Sequence, residues 1–162
     1  MAANLDINTD RGRVAAALQH RAADIVFSRS ESHCFIHTSD TDCAAVDGFI
    51  VAAGFIAGFA EIKSRDSTYN NFMTAFKGEW LLTHQKLLDI QAISKLLRLP
   101  GYGMIYLVPD EIVLVLQLTD KDGIITCKYR TAHTETQRTI NGDVANRLNA
   151  FINVSSAKIY RQ

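Results

Sequence analysis

The stretch Asp47–Ser64, DGFIVAAGFIAGFAEIKS, decides how this chain is read. Asp47–Ala52 and Phe55–Ser64 are apolar on both faces, as expected of central strands in a sheet covered on two sides. Ala52-Ala53-Gly54 supplies the turn between them. Side chains alternate along a strand, so Glu61 and Lys63 share one face while Ile62 points to the other. An acid and a base emerging from such a layer are costly when buried, unless they are paired or bound to a metal. Hairpin register decides whether Asp47 joins them. A three-residue loop, Ala53-Gly54-Phe55, sets Ala52 opposite Ile56 and Asp47 opposite Glu61. Directly opposed residues have Cβ atoms about 4.5–5.5 Å apart, close enough for two carboxylates to share an ion. A two-residue loop sets Asp47 opposite Ala60 instead, unless a bulge restores the pairing.

That grouping is the one a metal-dependent phosphodiesterase needs. Carboxylate oxygens of Asp47 and Glu61 would hold Mg²⁺, with Mn²⁺ as a substitute, and the Ile62 carbonyl offers a further hard ligand. The metal polarises the phosphate and acidifies a bound water, and a cation such as Lys63 orients that water or stabilises the developing charge. Spacing alone does not decide the matter, because a Glu-x-Lys also marks the solvated end of many core strands.

Working outward, Val14, Ala17, Leu18, Ala22, Ile25 and Val26 recur at three- and four-residue steps and predict a helix from Asp10 to about Ser28. Thr9 or Asp10 is its N-cap. His33–Thr38 reads as a short strand, and Arg65–Lys77 as an irregular polar connection. Gly78–Leu99 carries the strongest helical stripe, ended by Pro100-Gly101. Met104–Val108 and Ile112–Leu118 read as paired strands turned at Pro109-Asp110, followed by a strand over Ile124–Arg130. Asn141–Asn153 reads as a final helix and Ala157–Tyr160 as an edge strand. The expected fold is therefore α/β: residues 1–162 as a single domain, with a central mixed sheet flanked by helices.

Composition sets bounds on function. The 162 residues carry 17 basic and 17 acidic side chains, so no overall field argues for nucleic acid. The charges are nevertheless uneven. Residues 1–60 hold four Arg/Lys against seven Asp/Glu, and residues 121–162 hold seven against three, which permits a local phosphate-facing patch. Three cysteines without CxxC spacing imply reduced thiols and a cytoplasmic setting. The N-terminus lacks a signal-peptide pattern. The charge-free run Gly48–Ala60 is thirteen residues, short of the roughly 20 a membrane span needs, so no membrane association is expected.

The order helix, strand, Val46-Asp47 opening a strand, hairpin, Glu61-Ile62-Lys63, then helix resembles the PD-(D/E)XK nuclease superfamily. The likeness covers about residues 10–118, and Val46 replaces the family's proline. It implies a restriction-endonuclease-like αβββαβ core and a Mg²⁺-dependent DNA nuclease, structure- or end-directed in the manner of junction resolvases and exonucleases. It would assign Asp47 and Glu61 to the metal and Lys63 to the attacking water. It also implies a supporting glutamine on the following helix, Gln85 ahead of Gln91, and often a polar residue from the first helix, for which Gln19 and Asp24 both qualify. DNA is then the partner, and a homodimer is expected.

Other groupings carry less. His33, Cys34, His37, Asp42 and Cys43 lack the paired close spacing of structural zinc. There is no Gly-x-Ser-x-Gly elbow, Walker loop or dinucleotide fingerprint. Arg65, Lys77, Lys86, Lys95 and Arg98, with Tyr69, Asn70 and Asn71, are candidates for a DNA backbone surface, as is the basic set Lys128, Arg130, Arg138, Arg147, Lys158 and Arg161. Phe76 and Trp80 read as wedges against bases or, on an amphipathic helix, as core anchors. The competing reading is a non-catalytic nucleic-acid or protein-binding module on the same fold. A purely structural interaction protein would bind neither DNA nor metal.

Overall fold

The computed structural model describes residues 9–39, 44–136 and 145–162. Its elements are α1 (Asp10–Phe27), β1 (His33–His37), β2 (Gly48–Ala52), β3 (Phe55–Arg65), α2 (Tyr69–Thr74), β4 (Glu79–Thr83), α3 (His84–Leu97), β5 (Gly101–Leu107), β6 (Ile112–Thr119), β7 (Tyr129–Thr136), β8 (Ala145–Asn153) and β9 (Lys158–Arg161). Six strands form a mixed sheet in the order β1-β2-β3-β5-β6-β9, and β4-β8-β7 form a second sheet. Among the described residues only β3 and β5 run parallel, and every other strand pairing is antiparallel. A parallel pair needs a crossover, and α2-β4-α3 provides it.

The large sheet is covered on both faces. On one, Ala22, Ala23 and Ile25 of α1 pack on Ala60, Ile62, Met104, Tyr106 and Val113. On the other, Phe59, Ile105, Leu107 and Leu114 meet Leu87 and Ile90 of α3 together with Trp80, Leu82 and Ile152 of the second sheet. Strand alternation therefore sends Glu61, Lys63 and Arg65 toward α3 and the second sheet, and Ile62 toward α1. Among the described residues, no helix is long and apolar enough to cross a membrane.

The first helix follows the expectation, with the Thr9 hydroxyl accepting from the Gly12 N–H as N-cap. The edge strand near residue 158 also forms. Three of the expected elements do not form as read. Gly78–Leu99 is not one helix. Glu79–Thr83 alternates, with Trp80 and Leu82 buried, and is strand β4. Thr83 then caps α3 by accepting from the Lys86 N–H at 3.3 Å, so the helix start lies inside the apolar run and is masked by it.

The second failure is the final helix: residues 145–153 form the central strand of the small sheet, and 141–144 lie outside the described residues. Leu148, expected on its buried side, is 37% exposed, whereas Ala150 and Ile152 are fully buried in period-two alternation. The third is Ile124–Arg130, which holds only a single bridge, Ile125 to Thr119, before β7 starts at Tyr129. Within the supposedly irregular connection, Tyr69–Thr74 is a short helix. Thr68 caps it, and Asp110 anchors it by accepting from the Tyr69 N–H at 2.6 Å.

Candidate functional site

The site is built by the β2–β3 hairpin, and its turn differs from the expected one. Ala52 pairs with Phe55 across a two-residue turn, with Ala53 and Gly54 both at positive φ (49° and 82°). That backbone matches the twist of a tight hairpin. Left uncorrected, it would misplace Asp47. The register shifts after Val51↔Ile56, however, and resumes at Ile50↔Gly58, leaving Ala57 as the extra residue of a β-bulge. From there the pairing runs Phe49↔Phe59 and Gly48↔Ala60, which carries Asp47 to the level of Glu61.

At that level the ladder ends and side chains take over. The Asp47 N–H donates to the Ala60 carbonyl at 3.0 Å, and Asp47 Oδ2 accepts from the Ile62 N–H at 2.6 Å. Asp47 thus straddles Glu61 and supplies the bond β2 no longer makes. A strand residue points its N–H and C=O to the same side, so the Ile62 carbonyl opens toward Asp47. Gln19 of α1 donates to that carbonyl at 3.4 Å, which singles it out from Asp24, an exposed residue.

Glu61 is 2% exposed and sits in the layer of Phe59 and Ile105. Two ammonium groups make its burial tolerable. Lys63 Nζ lies 2.8 Å from Oε1, and Lys86 Nζ lies 2.9 Å from Oε2. Lys86 also donates to the Ala45 carbonyl at 3.0 Å, and Oε2 receives no directed hydrogen bond despite its close ion pair. Burial, and then the neighbouring Glu61 carboxylate, push the Asp47 pKa up against the opposing pull of Lys63, the Ile62 N–H and Lys86. Burial disfavours the charged form of Lys63, but Glu61 and Asp47 outweigh it and hold its pKa above the ordinary lysine value. At neutral pH Lys63 is therefore a cation and a donor, not a base.

Asp47, Glu61, the Ile62 carbonyl and Lys63 thus come together. Gln85 does not join them: it is exposed on α3 and donates to Asp89 one turn on, at 2.9 Å. Lys86, the next residue, takes the inward place. Its sequence signal is a cation in the first turn of a helix, where the dipole disfavours it unless an acid answers; that signal stays hidden while the helix start is misplaced. Trp80 is a core residue, whereas Phe76 is 54% exposed. Arg98 pairs with Asp122 at 2.9 Å, and Arg130 with Glu79 at 2.6 Å, so both are spoken for. His37 stacks on His20, and His33 Nδ1 lies 2.8 Å from Ser32 Oγ. Asp42, Cys43 and Arg138 lie outside the described residues.

Two carboxylates and one carbonyl suit a particular kind of ion. Among the described residues no group of three or more His, Cys, Asp or Glu side chains is placed to hold a metal. Mg²⁺ is commonly held by one or two carboxylates with waters and substrate phosphates completing its shell, unlike Ca²⁺ or structural Zn²⁺. The Glu61 oxygen lacking a directed bond and the raised pKa of Asp47 both fit a cation entering between them. Lys86 would have to yield its place.

Comparison of the chain with protein-family models, with curated proteins and with solved structures returns no match.

Proposed function

We propose that this protein is a divalent-metal-dependent phosphodiesterase acting on DNA, with a restriction-endonuclease-like core. The observation that carries the reading is the bulge at Ala57, which brings Asp47 onto the Ile62 N–H beside the buried Glu61. The element order α1-β1-β2-β3, then α3 and β5, with β3 and β5 paired in parallel, supports the same core.

Asp47, Glu61 and the Ile62 carbonyl would hold Mg²⁺ or Mn²⁺. A cation bound there would offset the negative charge of the phosphate and make a water acidic enough to attack it. Lys63, held charged, orients the attacking water and stabilises the negative charge that builds as one P–O bond forms and the other breaks. Gln19 fixes the Ile62 carbonyl from the α1 side. Lys86 neutralises Glu61 when no metal is bound and would move toward the phosphate when one is.

One observation favours a second reading. Glu61 is already balanced by two lysines, which is how a non-catalytic module would settle its charges. Cleavage of labelled linear, branched and circular DNA in Mg²⁺, Mn²⁺ or EDTA separates the two. The nuclease reading expects metal-dependent cutting that Lys63→Ala abolishes with folding intact. DNA binding without cutting in either metal would replace it with the module.

A further inference from the structure

Continuing along β3 beyond Lys63, the same face presents Arg65, and it opens onto a cleft of about 680 Å³ between α2 and the second sheet. Its walls include Arg65, Phe72, Phe76, Arg130 and Phe151, with Asp66 and Glu135 at the same cleft. The volume is that of a small-molecule site and far too small for a duplex.

Two features call for a ligand, and a third shapes the cleft for one. Arg65 is half-buried, yet its guanidinium meets only carbonyls, those of Ser64 at 3.1 Å and Leu81 at 3.2 Å. No carboxylate among the described residues pairs with it, and burial alone acts on it, lowering its pKa. A desolvated cation without a counter-charge is costly, so the position fits an incoming anion. Phe76 leaves 54% of itself uncovered at the cleft while Phe72 behind it, ring centroids 6.4 Å apart, is buried. The Arg130 guanidinium lies 4.1 Å above the Phe151 ring, presenting a flat, half-exposed plane on the opposite wall. An anion site between flat stacking surfaces, one aromatic and one a guanidinium plane, describes a nucleotide. The two acids that remain, Asp66 and Glu135, can accept from the amino group of a base.

We infer that this cleft binds the nucleotide next to the scissile phosphate, with its phosphate on Arg65 and its base unstacked against Phe76. Arg65 stands two residues beyond Lys63 on the same face, about 6.6 Å along the strand, the scale of one backbone step in an extended single strand. The inference rests on the nuclease reading for which phosphate is cut, and it narrows the substrate to single-stranded or frayed ends, because a paired base cannot enter. The lining charges balance (Arg65, Lys77 and Arg130 against Asp66, Glu79 and Glu135). That balance suits one nucleotide held by stacking and a single ion pair better than a long basic track.

The test is an NMR titration of the full chain in EDTA with deoxyadenosine monophosphate, and separately with inorganic phosphate. The nucleotide should shift Arg65 Nε–H and Phe76 resonances saturably and bind about tenfold more tightly than phosphate. Phe76→Ala, at an exposed position, should remove that advantage and leave phosphate affinity unchanged. Arg65→Ala should abolish both titrations; should it fail to fold, Arg65→Lys should weaken both. Equal affinity for nucleotide and phosphate, indifference to Phe76→Ala, or shifts confined to residues away from the cleft would overturn the assignment. Cleavage with Mg²⁺ is read separately. Cutting without cleft binding sinks the cleft alone, and cleft binding without cutting sinks the nuclease reading while leaving a nucleotide site.

Discussion

Glu61 and Arg65 stand four residues apart on one face of β3 and meet opposite electrostatic circumstances. Glu61 is buried, and two ammonium groups within 3 Å balance it. Arg65 is half-buried and answered only by carbonyl oxygens. The first site holds its charges ready and must exchange a partner to act. The second has a charge with no partner to exchange. A strand that carried both for stability alone would pair the arginine as it pairs the glutamate, and the contrast fits the proposed substrate lying along β3.

The largest effect that would break this contrast is chemical. Lys63→Ala should lower metal-dependent cleavage about 10²–10³-fold, measured on end-labelled DNA, while the far-ultraviolet circular dichroism stays unchanged. Loss of less than tenfold would remove Lys63 from the reaction. Next in size is stability. Glu61→Gln leaves Lys63 and Lys86 facing a neutral amide and should cost about 3 kcal/mol in urea unfolding, a figure at the lower end because both lysines are partly exposed. Arg65→Met should cost far less, since no ion pair is lost; equal costs would erase the distinction between the two positions.

A smaller, pH-dependent effect follows from Asp47. Its folded pKa lies above that of the unfolded chain, so between the two values the folded state holds the extra proton. Stability from this residue is therefore full at low pH and declines as pH rises through the window. Asp47→Asn keeps an oxygen for the Ile62 N–H, so the variant should gain on the wild type as pH is raised from about 3 to 7. A gap that stays constant would mean that burial and the Glu61 carboxylate do not raise the Asp47 pKa. Mg²⁺ should reverse the wild type's disadvantage by favouring the ionised carboxylate, and should do nothing for the variant. The smallest effect expected is at Gln85, where substitution by Ala should change cleavage less than about twofold, as its side chain serves only Asp89.

Much of this was legible in the sequence because strand alternation is a strong constraint. Period-two counting places Asp47, Glu61 and Lys63, and it leaves open a two-residue loop corrected by a bulge. That is the arrangement found, with Ala57 as the extra residue. The turn itself departs from the expected three-residue loop, because Ala53 adopts positive φ, which alanine rarely does. Lys86 was not legible as a site residue. Trp80, Leu81 and Leu82 continue the apolar stripe of α3, so the cap at Thr83 looked like helix interior and the first-turn lysine looked like part of a solvated face. The second sheet is hidden in the sequence for a related reason. Residues 145–153 mix Asn and Arg with apolar residues at spacings a helix also satisfies, and only pairing with β4 and β7 makes them a strand. The cleft could not be foreseen, since its walls come from β3, α2, β4, β7 and β8.

The most direct test of the site is a crystal structure of the protein soaked in Mn²⁺, with anomalous scattering used to locate the ion. A peak within coordinating distance of an Asp47 oxygen, a Glu61 oxygen and the Ile62 carbonyl, with Lys86 Nζ moved off Glu61, is the predicted result. Full occupancy of Lys86 on Glu61 at saturating Mn²⁺, with no peak between the two carboxylates, would contradict it.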